Sequence, residues 1–171
     1  SITVLMKLLN IKGNILPLTE DNADLVGITE DNKKIYGEEQ ITKSAKKIKY
    51  IEYSQKIKVN PKVIEAVNSA DLIIFSSGSL LTSIAPHLIN KTLAKAIRAS
   101  KAPKMYICNL FTQPGETDNY SVSNHLKTLE SYLGKHGIDV VIANNNMLNK
   151  DLVNIYQTQE QKDPVIIDTD N

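Results

Sequence analysis

Three short apolar runs, at residues 71–75, 104–110 and 139–143, are separated by stretches with helical periodicity. Strand, helix, strand, helix, strand at this spacing predicts right-handed βαβ crossovers in a parallel sheet, and so an α/β fold. The runs are continuous rather than alternating, as in strands covered on both faces. Asn60 and Pro61 mark the start of the first helix, one as cap and the other at the first helical position. Val63, Ile64 and Val67 then share a face through Ala70. A short helical stretch to Ala85 follows residues 76–79, with Pro86 read as its interruption. Residues 92–100 form the next helix, with Leu93, Ala96 and Ile97 inward, and residues 121–134 the third. A helix over 147–156 and a strand at 165–167 complete this part.

The first 58 residues have a different texture. Short β signals at 15–18, 24–29, 34–41 and 47–54 are separated by polar turns, and Ile48, Tyr50, Ile51 and Tyr53 sit in a β-like alternation. This predicts an antiparallel β-meander. Residues 1–10 carry apolar groups at helical spacing with no initiator Met, and read as a helix already under way. The chain is therefore expected to be a piece of a longer protein. Within one domain, residues 1–58 form the antiparallel segment and residues 59–171 the parallel α/β segment.

A chain of 171 residues can bury a sizeable core. Its net charge of +1 supplies no field for nucleic acid or an anionic membrane, and two Phe and no Trp leave few stacking platforms for single strands. No apolar run approaches the roughly 20 residues of a membrane span. The single cysteine, Cys108, excludes an intrachain disulfide and fits a reducing cytoplasm; its place in a strand makes it a small core residue. His87, His125 and His136 share no ligand spacing, and His125 and His136 read as surface groups. The lysines at 43, 46, 47, 49, 56, 58 and 62 read as solvated charges that block edge pairing.

In open α/β sheets ligands bind beyond the carboxyl ends of the strands, and two such ends carry unusual loops. The first holds Ser77, Gly78, Ser79, Thr82 and Ser83. Glycine permits a sharp turn and close approach, the following helix presents unpaired N–H groups, and the hydroxyls add donors. That is an anion cradle suited to phosphate, although the same serines can simply cap a helix. The second loop gathers Asn109, Thr112, Gln113, Gly115, Glu116, Thr117 and Asp118. Amides, hydroxyls and carboxylates in this density read a base, ribose or sugar, and Glu116 or Asp118 can hold Mg²⁺ through water. The plain alternative is a polar connector to the cap at Ser121.

Residues 70–88, Ala-Asp-Leu-Ile-Ile-Phe-Ser-Ser-Gly-Ser-Leu-Leu-Thr-Ser-Ile-Ala-Pro-His-Leu, and 105–118, Met-Tyr-Ile-Cys-Asn-Leu-Phe-Thr-Gln-Pro-Gly-Glu-Thr-Asp, closely resemble the CofD-like proteins, whose bacterial branch is the gluconeogenesis factors. The resemblance extends to Gly13-Asn14-Ile15-Leu16-Pro17 and Asp163-Pro164-Val165. It implies a Rossmann-like, three-layer parallel sheet with an antiparallel β-meander insertion. It also implies an amino-terminal Gly-Gly-Gly-Thr-Gly phosphate loop, which this sequence lacks. Where the family has Gly-Pro-Gly-Ser-Leu-Tyr-Thr-Ser, this chain has Ser76-Ser77-Gly78-Ser79-Leu80-Leu81-Thr82-Ser83, which keeps the second glycine and loses the tyrosine ring.

Two functions follow from the resemblance. One is a regulatory protein that binds a nucleotide sugar of the UDP type and is linked to gluconeogenic growth and cell shape. The absence of a clear base or nucleophile fits binding rather than turnover. The other is a Mg²⁺-dependent 2-phospho-L-lactate transferase-like enzyme, acting on a nucleotide donor and a deazaflavin acceptor, with Asp118 on the metal side. Phosphoryl chemistry needs positioning more than a nucleophile, so both remain open. The family's habit adds a homodimer as the expected assembly.

Overall fold

The computed structural model describes residues 12–146 and 148–168, with Met6, Leu8 and Asn10 before them. The helix expected over residues 1–10 otherwise lies outside the described residues. Strand β1, Leu25–Thr29, is buried along its whole length and lies between β2, Lys34–Tyr36, and β3, Ile48–Tyr53. Both pairings are antiparallel, with a register shift between Ile28 and Thr29. This is the meander, with one correction. The apolar pattern over 34–41 is not one strand: Gly37 at φ 86 ends β2, and α1, Glu38–Ser44, follows. Glu38 and Glu39 suit the first turn of a helix, and Ile41 points inward at 1% exposure. Residues 15–18 form no strand; Leu18 packs on the core, and its carbonyl accepts from Asn60 N–H at 2.8 Å.

Helix α2, Pro61–Ser69, begins as expected, with Asn60 Oδ1 accepting from Lys62 N–H at 3.0 Å. It leads into β4, Ile73–Phe75. A π-helical turn, Leu80–Ile84, runs on into α3, Ala85–Leu88. Pro86 does not interrupt this segment. It sits at the start of α3, directly after the change from π- to α-type hydrogen bonding. Then come α4, Lys91–Ala99; β5, Lys104–Ile107; α5, Val122–Leu133; β6, Val140–Ile142; and α6, Lys150–Glu160. Strands β4, β5 and β6 lie in that order in one parallel sheet, with Ile74 opposite Met105 and Met105 opposite Val140. The expected strand at 165–167 is reduced to isolated bridges, Phe111 with Pro164 and Ser121 with Ile166.

Helices α2, α4 and α5 pack against one another over one face of the parallel sheet, where Phe75, Tyr106, Leu129 and Leu133 form the main core. Val140 and Ile142, expected to be buried, stand 44% and 47% exposed, with Ile74 at 51%. They alternate with inward residues, so they face away from those helices. A second core lies under the meander around Leu25, Ile41, Ile48 and Ile51. His125, expected at the surface, is 1% exposed: its Nδ1 lies 2.9 Å from Ser121 O and its ring meets Tyr120 edge-on. One helical turn of spacing brings it under the cap rather than out to solvent. Burial lowers its pKa.

Candidate functional site

Both singled-out loops begin at the carboxyl ends of adjacent strands, β4 and β5, so the parallel pairing brings them together. Two side-chain bonds join them. Asn109 Nδ2 donates to Gly78 O at 3.1 Å, and Ser79 Oγ donates to Glu116 Oε2 at 2.5 Å.

The second bond belongs to a buried cluster. Thr42 Oγ1, from α1, donates to Glu116 Oε1 at 3.2 Å, and Thr82 Oγ1 donates to Ser79 Oγ at 2.7 Å. Ser79 Oγ in turn accepts from Thr82 N–H at 3.2 Å, capping the π-helical turn. Burial pushes the Glu116 carboxyl above its ordinary range, while these donors pull it partly back. Of the groups expected to cradle a phosphate, the Ser79 hydroxyl thus goes to a carboxyl of the protein itself and the Thr82 N–H to Ser79 Oγ.

Gly78 does not lie in the left-handed region. What it supplies is space, since a Cβ there would meet Ser83 Cβ at 3.2 Å. Gly115 needs both space and freedom. At φ +77, its added Cβ would come within 2.6 Å of the Ala45 and Lys46 backbone, and its carbonyl accepts from Ile48 N–H at 2.8 Å. The 109–118 loop is thereby fastened to the meander. Thr117 Oγ1 accepts from Gln113 N–H at 2.8 Å, and Asp118 Oδ2 from Gly115 N–H at 2.9 Å, so both shape the loop. Asp118 is exposed and does not line the cleft described next. Ser83 is exposed, with its hydroxyl 3.3 Å from Glu38.

Beside the junction, at the ends of β5 and β6, opens a cleft of about 480 Å³. Of the expected residues, Ser77, Asn109, Thr112 and Gln113 line it. Among the described residues, Asn109 Oδ1 is buried without a hydrogen-bond partner. Thr112 Oγ1 is occupied, accepting from Asp163 N–H at 3.0 Å. Sequence reasoning missed Thr42, Asn144, Tyr156 and Lys162. Thr42 and Lys162 reach the site through contacts remote in the chain. Asn144 could have been found as the residue just past a third strand end. Tyr156 stacks on Phe111 with centroids 4.3 Å apart. Among the described residues no His, Cys, Asp and Glu group of three or more is placed to hold a metal, and no helix is long and apolar enough to cross a membrane.

Comparisons with known proteins agree with this architecture. A protein from Thermotoga maritima is 42% identical over 171 residues, covering 100% of this chain and 54% of its own length. The gluconeogenesis factor of Listeria monocytogenes is 41% identical over 155 residues, 90% of this chain and 48% of its own. A crystal structure of a Bacillus halodurans protein superposes with a TM-score of 0.89 at 36% identity, covering 98% of this chain and 54% of that one. The chain spans about half the length of the curated relatives it matches. The family described as 2-phospho-L-lactate transferase CofD matches residues 1–171. On the strength of that match from the first residue to the last, the chain belongs to the CofD family.

Proposed function

We propose that this chain carries the ligand-holding part of a gluconeogenesis-factor-type regulatory protein that binds a nucleotide sugar of the UDP class in the cleft beyond β5 and β6. The observation that carries the reading is the convergence of the two polar loops, joined by Asn109 to Gly78 and Ser79 to Glu116. Ser77, Asn109 and Gln113 then line a cleft of about 480 Å³, a size suited to a small organic ligand. Relatives named gluconeogenesis factor support a regulatory role in carbon metabolism, and a link to cell shape belongs to the same reading. The buried carboxyl of Glu116 is held by hydroxyls, with no basic partner beside it among the described residues, which favours binding over acid–base turnover.

The family description, 2-phospho-L-lactate transferase, favours a second reading as an enzyme, which we take as a Mg²⁺-dependent transfer from a nucleotide donor to a deazaflavin acceptor. Calorimetry of the protein with UDP-sugars, with and without Mg²⁺, separates the two when paired with a donor-consumption assay. Tight binding without consumption is expected. Turnover of the donor in the presence of deazaflavin would replace the first reading with the second.

A further inference from the structure

Two polar features of the cleft remain unused. Among the described residues, Lys162 is the one cation that lines it. Backbone pairing sets its place: Thr112 N–H donates to Asp163 O at 2.8 Å, and Val165 N–H to Leu110 O at 2.9 Å. These bonds, with the one from Asp163 N–H to Thr112 Oγ1, hold the segment after α6 against the loop after β5. The lysine stem therefore starts from a fixed point on the rim. Its ammonium lies 5.9 Å from the Tyr156 ring centroid and 2.6 Å from Glu160, and the side chain is only 26% exposed. The second feature is Asn109 Oδ1. The amide's orientation is fixed by its Nδ2 bond to Gly78 O, which leaves a buried acceptor with no donor among the described residues. Such atoms are rare, and each calls for a partner.

We propose that Lys162 is the anion contact of this cleft and Asn109 Oδ1 its companion acceptor. The ligand is then a phosphate ester that carries an N–H or O–H donor, such as a nucleoside diphosphate. This assignment rests on the site reading above and names the residue that would hold the charge. Glu160 occupies the ammonium in the meantime. That pair is weak, because Glu160 is 45% exposed and solvent screens it. A phosphate, with more charge and more acceptors, displaces it.

The test is calorimetry on the full chain with uridine, UDP and inorganic pyrophosphate. The native protein is expected to bind UDP more tightly than uridine. Lys162→Met is expected to weaken UDP about tenfold and leave uridine unchanged. Glu160→Gln is expected to strengthen UDP about twofold to threefold by freeing the ammonium. It reads the same contact with opposite sign, should Lys162→Met fold poorly. UDP affinity unchanged in both variants, or equal native affinity for uridine and UDP, overturns the assignment. If pyrophosphate binds and is lost in Lys162→Met while no nucleotide binds, Lys162 stands and the nucleotide reading falls. If none of the three binds, both fall.

Discussion

Glu116 shows how one buried side chain can join two polar loops without lining the cleft beside them. The residue is 4% exposed, its carboxyl tied to α1 through Thr42 and to the start of the π-helical turn through Ser79. Because burial raises its folded pKa above the ordinary 4.5, the folded state holds its proton more tightly than the unfolded chain does. Stability from this group is therefore full below pH 4.5 and declines as pH rises through the raised value. Glu116→Gln removes that titration, so its stability should vary less over the same window. Urea unfolding of both proteins from pH 4.5 upward checks this, and parallel curves would contradict it. A second prediction concerns Tyr106, fully buried with its hydroxyl unpartnered among the described residues. Tyr106→Phe removes an unsatisfied group from the core, so stability should hold or rise by up to about 1 kcal/mol. A loss beyond about 1 kcal/mol on thermal unfolding would mean that the hydroxyl has a partner after all. Gly78→Val belongs here too. Its Cβ presses on Ser83, so ligand affinity should be lost while the far-ultraviolet spectrum stays native.

Among the elements, the segment running from the π-helical turn into α3 does the most joining. Leu80, Ile84 and Leu88, four apart, face the main core, while Leu81 and Ala85 face the core under the meander. Tyr53 Oη adds a bond to Pro86 O at 3.0 Å. Helix α5 depends on its start. Ser121 and Asn124 form a capping box, and the Asp168 carboxylate accepts from Ser123 N–H at 3.0 Å and Ser121 Oγ at 2.8 Å. Ser121→Ala removes the hydroxyl cap and should cost about 1 kcal/mol in denaturant unfolding. Gly115→Ala should cost more, about 2 kcal/mol or above, because a left-handed φ and a backbone collision coincide there. If Gly115→Ala were as stable as the native chain, the loop could not be pressed against Ala45 and Lys46 as found.

In the molecule as a unit, the parallel sheet carries the cleft among the described residues, and the antiparallel one stands behind it. The meander contributes no cleft-lining residue; it braces the 109–118 loop through Ile48 to Gly115 and Thr42 to Glu116. If the proposed binding holds, affinity at the cleft should respond to changes in α1, although no described α1 residue lines it. Thr42→Val, which keeps the shape and removes the hydroxyl, should weaken the ligand several-fold, an effect on the order of 1 kcal/mol, with little change in secondary structure. Titration with a UDP-sugar checks it, and unchanged affinity would confine the meander to a structural part.

How much of this was written in the linear order of residues follows from range. Alternating apolar runs and helical periodicity, the Asn60 and Ser121 caps, and the two polar loops at strand ends are local signals, so each could be read in place. Parallel pairing then made the convergence of the loops foreseeable, because neighbouring strands present their carboxyl ends on one side. What needed three dimensions was the choice among polar groups. Ser79 and Thr82 face a protein carboxylate, Ser77 and Asn109 face a cleft, and Lys162 arrives from 51 residues beyond Phe111 to share the rim. Such a division depends on which partner comes within hydrogen-bond distance, and distance between remote residues is a property of packing, not of spacing along the chain. The same is true of His125 and of Val140 and Ile142, whose exposure was set by what packs on each face.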